Sequence, residues 1–130
     1  MEDSAFSDDF CRFLRVAVPS VDAAELLLLL QSEPARWWSA QEALAALRPG
    51  ATLSDADLAR YLVLFQAGGL IAVGPDKRVQ YRPAHSGIEA HVATLARAYQ
   101  ERPVTLIRVI YALRDLSIQS FADAFKLKRS

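Results

Sequence analysis

The sequence predicts a mostly helical domain that carries one small β-hairpin. Three observations lead there. Twenty-two alanines and eighteen leucines stand among the 130 residues, and both types lose little conformational freedom on entering a helix. Apolar residues recur at helical spacing through most of the chain. One stretch breaks that pattern: two short β-prone runs, 70–73 and 79–82, flank a Gly74-Pro-Asp-Lys77 turn, which reads as a hairpin.

The first helix is expected over Phe6 to Ala17. It sets Phe6, Phe10, Phe13, Leu14 and Ala17 on one stripe, with Ser4 as N-cap and an Asp8/Arg12 pair one turn apart. Pro19 ends it. The second runs from about Val21 to Ser32, opened by Ser20 or Asp22. Its run Leu26–Leu30 is apolar on every side and makes this the central helix. Ser39-Ala-Gln-Glu42 is a capping box before a short helix, Ala40 to Arg48, that Pro49-Gly50 closes. Two adjacent indoles, Trp37 and Trp38, precede it; in an extended segment only one of them faces inward. Ser54-Asp-Ala-Asp57 opens a helix to about Ala67, with Leu58, Tyr61, Leu62 and Phe65 at core spacing and Gly68-Gly69 as the stop. After the hairpin, Ser86-Gly-Ile-Glu89 reads as a box with the spacing of the Ser39 one, before a long helix with Ile88, Val92, Leu95 and Tyr99 at i, i+4, i+7 and i+11. Pro103 breaks it. A further helix turns Leu106, Val109, Ile110 and Leu113 inward and Thr105, Arg108, Ala112 and Asp115 outward. The tail places Ile118, Phe121, Ala122 and Phe125 on one stripe and finishes on Lys126, Lys128 and Arg129.

Composition limits what the chain does. At this length a single domain, 1–130, is expected. The longest apolar run is far short of the ~20 residues of a membrane span, and no secretory leader pattern is present, so a cytoplasmic protein without membrane contact is expected. Fifteen basic and fifteen acidic residues cancel, which argues against a strongly basic nucleic-acid coat. The cancellation hides a polarity: residues 1–70 hold five basic and ten acidic side chains, residues 71–130 ten and five. Either this is a functional field, or the two halves attract one another in the fold.

Helix, short helix, turn, helix and hairpin is an order with a known counterpart. The segment from Leu53 to Ile71, a serine-capped helix running into Gly-Leu-Ile, resembles the recognition helix and first wing strand of bacterial winged helix-turn-helix regulators. The resemblance spans about residues 21–83. It implies a winged-helix core (20–83), preceded by an N-terminal helix (1–19) and followed by C-terminal helices (84–130) that form a homodimer. It also implies duplex DNA as a partner, with the helix in the major groove and the wing on the backbone. Carried over, the DNA-contacting residues are Arg60, Lys77, Arg78 and Arg82. The match of chemistry is uneven. Asp55 and Asp57 stand where phosphates approach, and Val63 and Leu64 are apolar where polar readers are expected.

No enzyme is expected. His85 and His91 are six residues apart and fall on different helix faces, Cys11 has no histidine near it in sequence, and no glycine-rich phosphate loop is present. No cofactor or metal is implied. Two functions follow. The first is a dimeric winged-helix transcriptional regulator that binds duplex DNA through the wing and a few contacts from the recognition-type helix. The alternative is a winged-helix protein–protein module, an adaptor or modulator of a transcription factor. Its interface residues would be Val63 and Leu64, with the amphipathic flanks Phe6, Phe10, Phe13, Leu106, Ile110, Phe121 and Phe125 serving as anchors for a partner or a second protomer.

Overall fold

The computed structural model describes residues 6–47 and 53–114. Six helices and one antiparallel hairpin occur among them. In chain order they are α1 (Asp8–Ala17), α2 (Val21–Ser32), α3 (Ala40–Ala46), α4 (Asp55–Ala67), β1 (Ile71–Val73), β2 (Val79–Tyr81), α5 (Ser86–Glu101) and α6, helical over 103–114. The tail stripe with Phe121 and Phe125 lies outside the described residues, as do Ser4 and the Pro49-Gly50 stop.

Short side chains fix most helix starts. Ser20 Oγ accepts from the Ala23 amide at 3.1 Å and Ser54 Oγ from the Asp57 amide at 3.1 Å. Each satisfies one of the amides that a helix N-terminus leaves without a partner. The Ser39 box forms in full: Ser39 Oγ accepts from the Glu42 amide at 3.1 Å, and Glu42 Oε1 accepts from the Ser39 amide at 2.9 Å. Two other starts differ from expectation. α1 is capped by Ser7, whose Oγ accepts from the Phe10 amide, so Phe6 precedes the helix, and Arg12 reaches Asp9 at 3.6 Å rather than Asp8. α5 is capped by His85, whose Nδ1 accepts from the Gly87 amide at 3.1 Å, and Ser86 is already helical.

The end of α4 sets the direction of the hairpin. Gly69 takes a φ of +75°, the left-handed region that favours glycine. The Leu70 amide then donates to Phe65 O at 2.9 Å and the Gly69 amide to Gln66 O at 3.1 Å, the Schellman arrangement that closes a helix. The chain leaves directly into β1, which pairs with β2 in the register Ile71–Tyr81, Ala72–Gln80, Val73–Val79. A third extended residue joins on the other side of β2: Trp38 and Val79 exchange both backbone hydrogen bonds at 2.8 Å. Gln80, buried in β2, reaches back to donate to Ala35 O at 3.0 Å.

One core joins these elements. Leu26, Leu27 and Leu30 of α2 are fully enclosed, while Leu28 and Leu29, which the run's all-round apolarity would bury as well, are half-buried. Around them pack Ala43, Leu58, Phe65, Leu70, Val92 and Leu95. α2 touches α3, α5 and β2, α4 touches α3 and β1, and α1 lies on α5. α6 contributes Leu106, Val109, Ile110 and Leu113. That inward set matches the sequence pattern, but it removes four residues from the expected interface. Phe6, Phe10, Leu106 and Ile110 are all buried within the protomer and are therefore core. Phe13 is half-buried, its ring stacked on His91 with centroids 5.1 Å apart. No helix among the described residues is long and apolar enough to cross a membrane.

Candidate functional site

Two neighbouring surfaces carry the residues singled out from the sequence: the outer face of α4 and the turn of the hairpin.

α4 buries Leu58, Tyr61 and Phe65. Tyr61 is anchored by its hydroxyl, which accepts from Ser20 Oγ at 2.9 Å. That fixes the rotation of the helix, so Asp55, Ala56, Ala59, Arg60, Val63 and Gln66 face outward. Val63 is 66% exposed and Leu64 is half-buried. Arg60 is not an isolated cation: its Nη2 sits 2.9 Å from Asp57 Oδ1, and the guanidinium carbon lies 5.3 Å from the Tyr61 ring centroid. The Asp57 carboxyl is held below its ordinary value, chiefly by its hydrogen bond with the Ser54 side chain and then by Arg60. The face is thus small and apolar in its middle and carries Asp55 at its N-terminal end, and its one arginine is paired with Asp57.

The hairpin turn is built differently. The Lys77 amide donates to Gly74 O at 3.0 Å and the Gly74 amide to Arg78 O at 2.8 Å. This closure holds Lys77 at a φ of +67°, unusual for a side-chain-bearing residue. Asp76 Oδ1 accepts from the Arg78 amide at 3.2 Å, and its Oδ2 lies 3.4 Å from Arg78 Nε. Lys77, Arg78 and Arg82 are all exposed, with Arg78 tied to Asp76. Trp37 leans on the turn: a Cβ placed on Gly74 would come within 3.2 Å of its ring. A shallow groove runs between Trp37, Pro75 and Arg78. Trp37 is 37% exposed and Trp38 only 1%, the division expected of two adjacent indoles in an extended segment. Arg36 lies 3.6 Å above the Trp38 ring centroid, a close cation–π geometry.

The structure therefore brings Lys77, Arg78 and Arg82 onto one hairpin and leaves Arg60 on a separate helix in its own ion pair. The histidines have structural occupations: His85 caps α5 and His91 stacks on Phe13. Cys11 is buried.

One surface was missed in the sequence. On α6 the outward positions are Val104, Arg108, Tyr111 and Arg114, while Thr105 and Ala112, expected outward, are half-buried. Val104 is 67% exposed and Tyr111 53%. Their i, i+7 spacing, with Arg108 between them, was the available signal. Compared with protein-family models, curated proteins and solved structures, the chain shows no match to any of them.

Proposed function

We propose that residues 20–83 form a winged helix-turn-helix unit whose work is protein–protein contact, with the outer face of α4 as the binding surface. The unit would act as an adaptor or as a modulator of a transcription factor. The order α2, α3, α4, hairpin supports the winged-helix reading, and so does the third extended residue, Trp38, beside β2.

The observation that carries the function is the exposed α4 face. A helix placed in a DNA groove needs cations and hydrogen-bond donors near phosphates and base edges. This face offers Val63 in the open, Asp55 and Asp57 at its start, and an arginine bound to Asp57 at 2.9 Å. Exposed apolar surface with a charged margin suits a protein partner better.

DNA remains a second reading, favoured by one feature. The exposed cations Lys77 and Arg82 stand on the hairpin, where a wing touches a DNA backbone.

A salt-dependent titration of fluorescent duplex DNA separates the two. With protein contact as the function, duplex binding is absent or weak even at ~20 mM salt, and any residue of it is lost with Lys77→Glu and Arg78→Glu. A photoreactive phenylalanine analogue at position 63 then captures protein rather than DNA. Tight duplex binding at ~150 mM salt, lost with Lys77→Glu and Arg78→Glu or with Arg60→Ala, would overturn the proposal in favour of DNA.

A further inference from the structure

The outer face of the hairpin sheet carries an indole among cations. Side chains alternate along β2, so Arg78, Gln80 and Arg82 share one face and Val79 and Tyr81 the other. Val79 and Tyr81 are buried in the core, whereas Arg78 and Arg82 are exposed. Trp38 pairs with Val79 and is buried, so Trp37 beside it turns to the outer face. There its ring crosses towards β1, to within 3.2 Å of where a Cβ on Gly74 would stand. Gly74 is the residue opposite Arg78, its amide donating to Arg78 O at 2.8 Å. A side chain at 74 would push the ring off the sheet. The groove between Trp37, Pro75 and Arg78 offers about 530 Å³. Of the three cations, Arg78 is engaged by Asp76 at 3.4 Å. Lys77 and Arg82 have no carboxylate partner among the described residues.

We infer that this face binds single-stranded nucleic acid, with one base stacked on the Trp37 indole and the flanking phosphates held by Lys77 and Arg82. The indole selects the ligand class. Every base presents a flat π face, and stacking on an aromatic side chain holds it whatever its hydrogen-bonding edge. Only an unpaired base reaches the ring, because a base inside a duplex is already stacked on its neighbours. The cations add the requirement for an anionic backbone. Arg82 follows Arg78 by four residues, about 13 Å along an extended strand, and Lys77 lies just beyond Arg78 at the turn. The two cations without a partner thus stand at opposite ends of the face. Trp37, one residue from the Trp38–Val79 bridge and reaching Gly74, lies between those ends. A strand crossing the face meets a positive charge before and after the stacked base. An acidic peptide would satisfy the cations and leave the indole without a planar partner. The inference is independent of the α4 reading, since it assigns a second ligand to a different surface.

The test is the anisotropy of a dye-labelled oligothymidine titrated with the full chain at ~50 mM salt. Saturable binding is expected, and it should weaken with salt at a logarithmic slope of about −0.7 for each phosphate held, roughly −1.4 for two. Trp37→Ala should weaken it about tenfold, and Trp37→Phe, which keeps a ring, much less. Lys77→Glu together with Arg82→Glu should abolish it. Circular dichroism checks the fold of each variant, and one measurement needs no variant: a bromouracil-substituted oligothymidine irradiated with the unaltered chain should crosslink to the peptide that contains Trp37. Any of four results overturns the inference: no binding at ~50 mM salt, equal affinity for the same sequence as a duplex, indifference to Trp37→Ala, or a crosslink that maps away from Trp37. So does displacement by polyglutamate as effective as by unlabelled oligothymidine, because charge alone would then explain binding. Capture of protein by a photoprobe at 63 is untouched by these outcomes, so the α4 function stands or falls separately.

Discussion

His85 marks where short-range sequence patterns stop deciding. Ser86-Gly-Ile-Glu89 has the same serine-to-glutamate spacing as Ser39-Ala-Gln-Glu42, yet only the second becomes a capping box. The difference lies in what precedes each helix. Before α5 the chain is pinned by the Arg82 amide donating to Leu70 O at 2.9 Å and the Ala84 amide donating to Gly69 O at 2.8 Å. These long-range bonds set α5 to begin at Ser86, and the imidazole of His85 takes the capping role. Such bonds leave no local trace in the sequence. Histidine is a poor N-cap compared with aspartate, whose charge also suits the positive end of the helix dipole. His85→Asp should therefore stabilise the fold by about 0.5–1 kcal/mol, and His85→Ala should destabilise it by a similar amount. Urea denaturation followed by circular dichroism checks both.

At the scale of elements, the central helices and the hairpin were legible because their signals are local. Serine caps, the apolar run Leu26–Leu30 and the Gly68-Gly69 stop all act within a few residues of themselves. The Trp38–Val79 bridge was not legible, since a single extended residue has no periodicity. α4 depends on its cap in a way that pH exposes. The Asp57 carboxyl is held below its ordinary value by Ser54 and Arg60, and the Glu42 carboxyl by the Ser39 amide. A carboxyl lowered in the folded state binds its proton more readily when unfolded. Its stabilisation is present above the ordinary carboxylate range and fades as pH falls through the lowered value. Acidification below about pH 4 should thus weaken α3 and α4. Ser54→Ala should cost about 1 kcal/mol at neutral pH, and it should also flatten this acid-side slope because the principal partner of Asp57 is gone. Stability curves against pH for both proteins measure the difference.

Across the whole molecule, the acidic first half and the basic second half meet where Arg78 of the hairpin adds to the Ser39 amide in holding the Glu42 carboxyl of α3 below its ordinary value, while the ion pairs described are local. Arg12–Asp9, Arg36–Glu33, Arg60–Asp57 and Arg78–Asp76 each join residues two or three apart in sequence. Among the exposed side chains, Asp55 gives α4 an acidic face, and Arg108 and Arg114 give α6 a basic one. The sequence disclosed the acidic face, because Asp55, Asp57 and Val63 sit in one helical stretch. It did not disclose the basic one. There the inward stripe and the outward Arg108 match the pattern, but Thr105 and Ala112 are half-buried, Asp115 lies outside the described residues, and the pattern did not single out the exposed Val104 and Tyr111. The same near-miss explains Leu106 and Ile110: they are apolar at helical spacing, and only the packed fold tells core from interface. The paired indoles add an optical consequence. Trp38 is sealed beneath Arg36, while Trp37 lies against the hairpin turn with part of its ring in water. The protein thus holds two fluorophores of one kind, one shielded and one wetted, a single peptide bond apart. Iodide or acrylamide should quench the emission of a Trp38→Phe chain readily and that of a Trp37→Phe chain hardly at all. Because Trp37 borders the turn that carries Lys77 and Arg78, its colour and lifetime would register a ligand arriving at the hairpin, while Trp38 would report only unfolding.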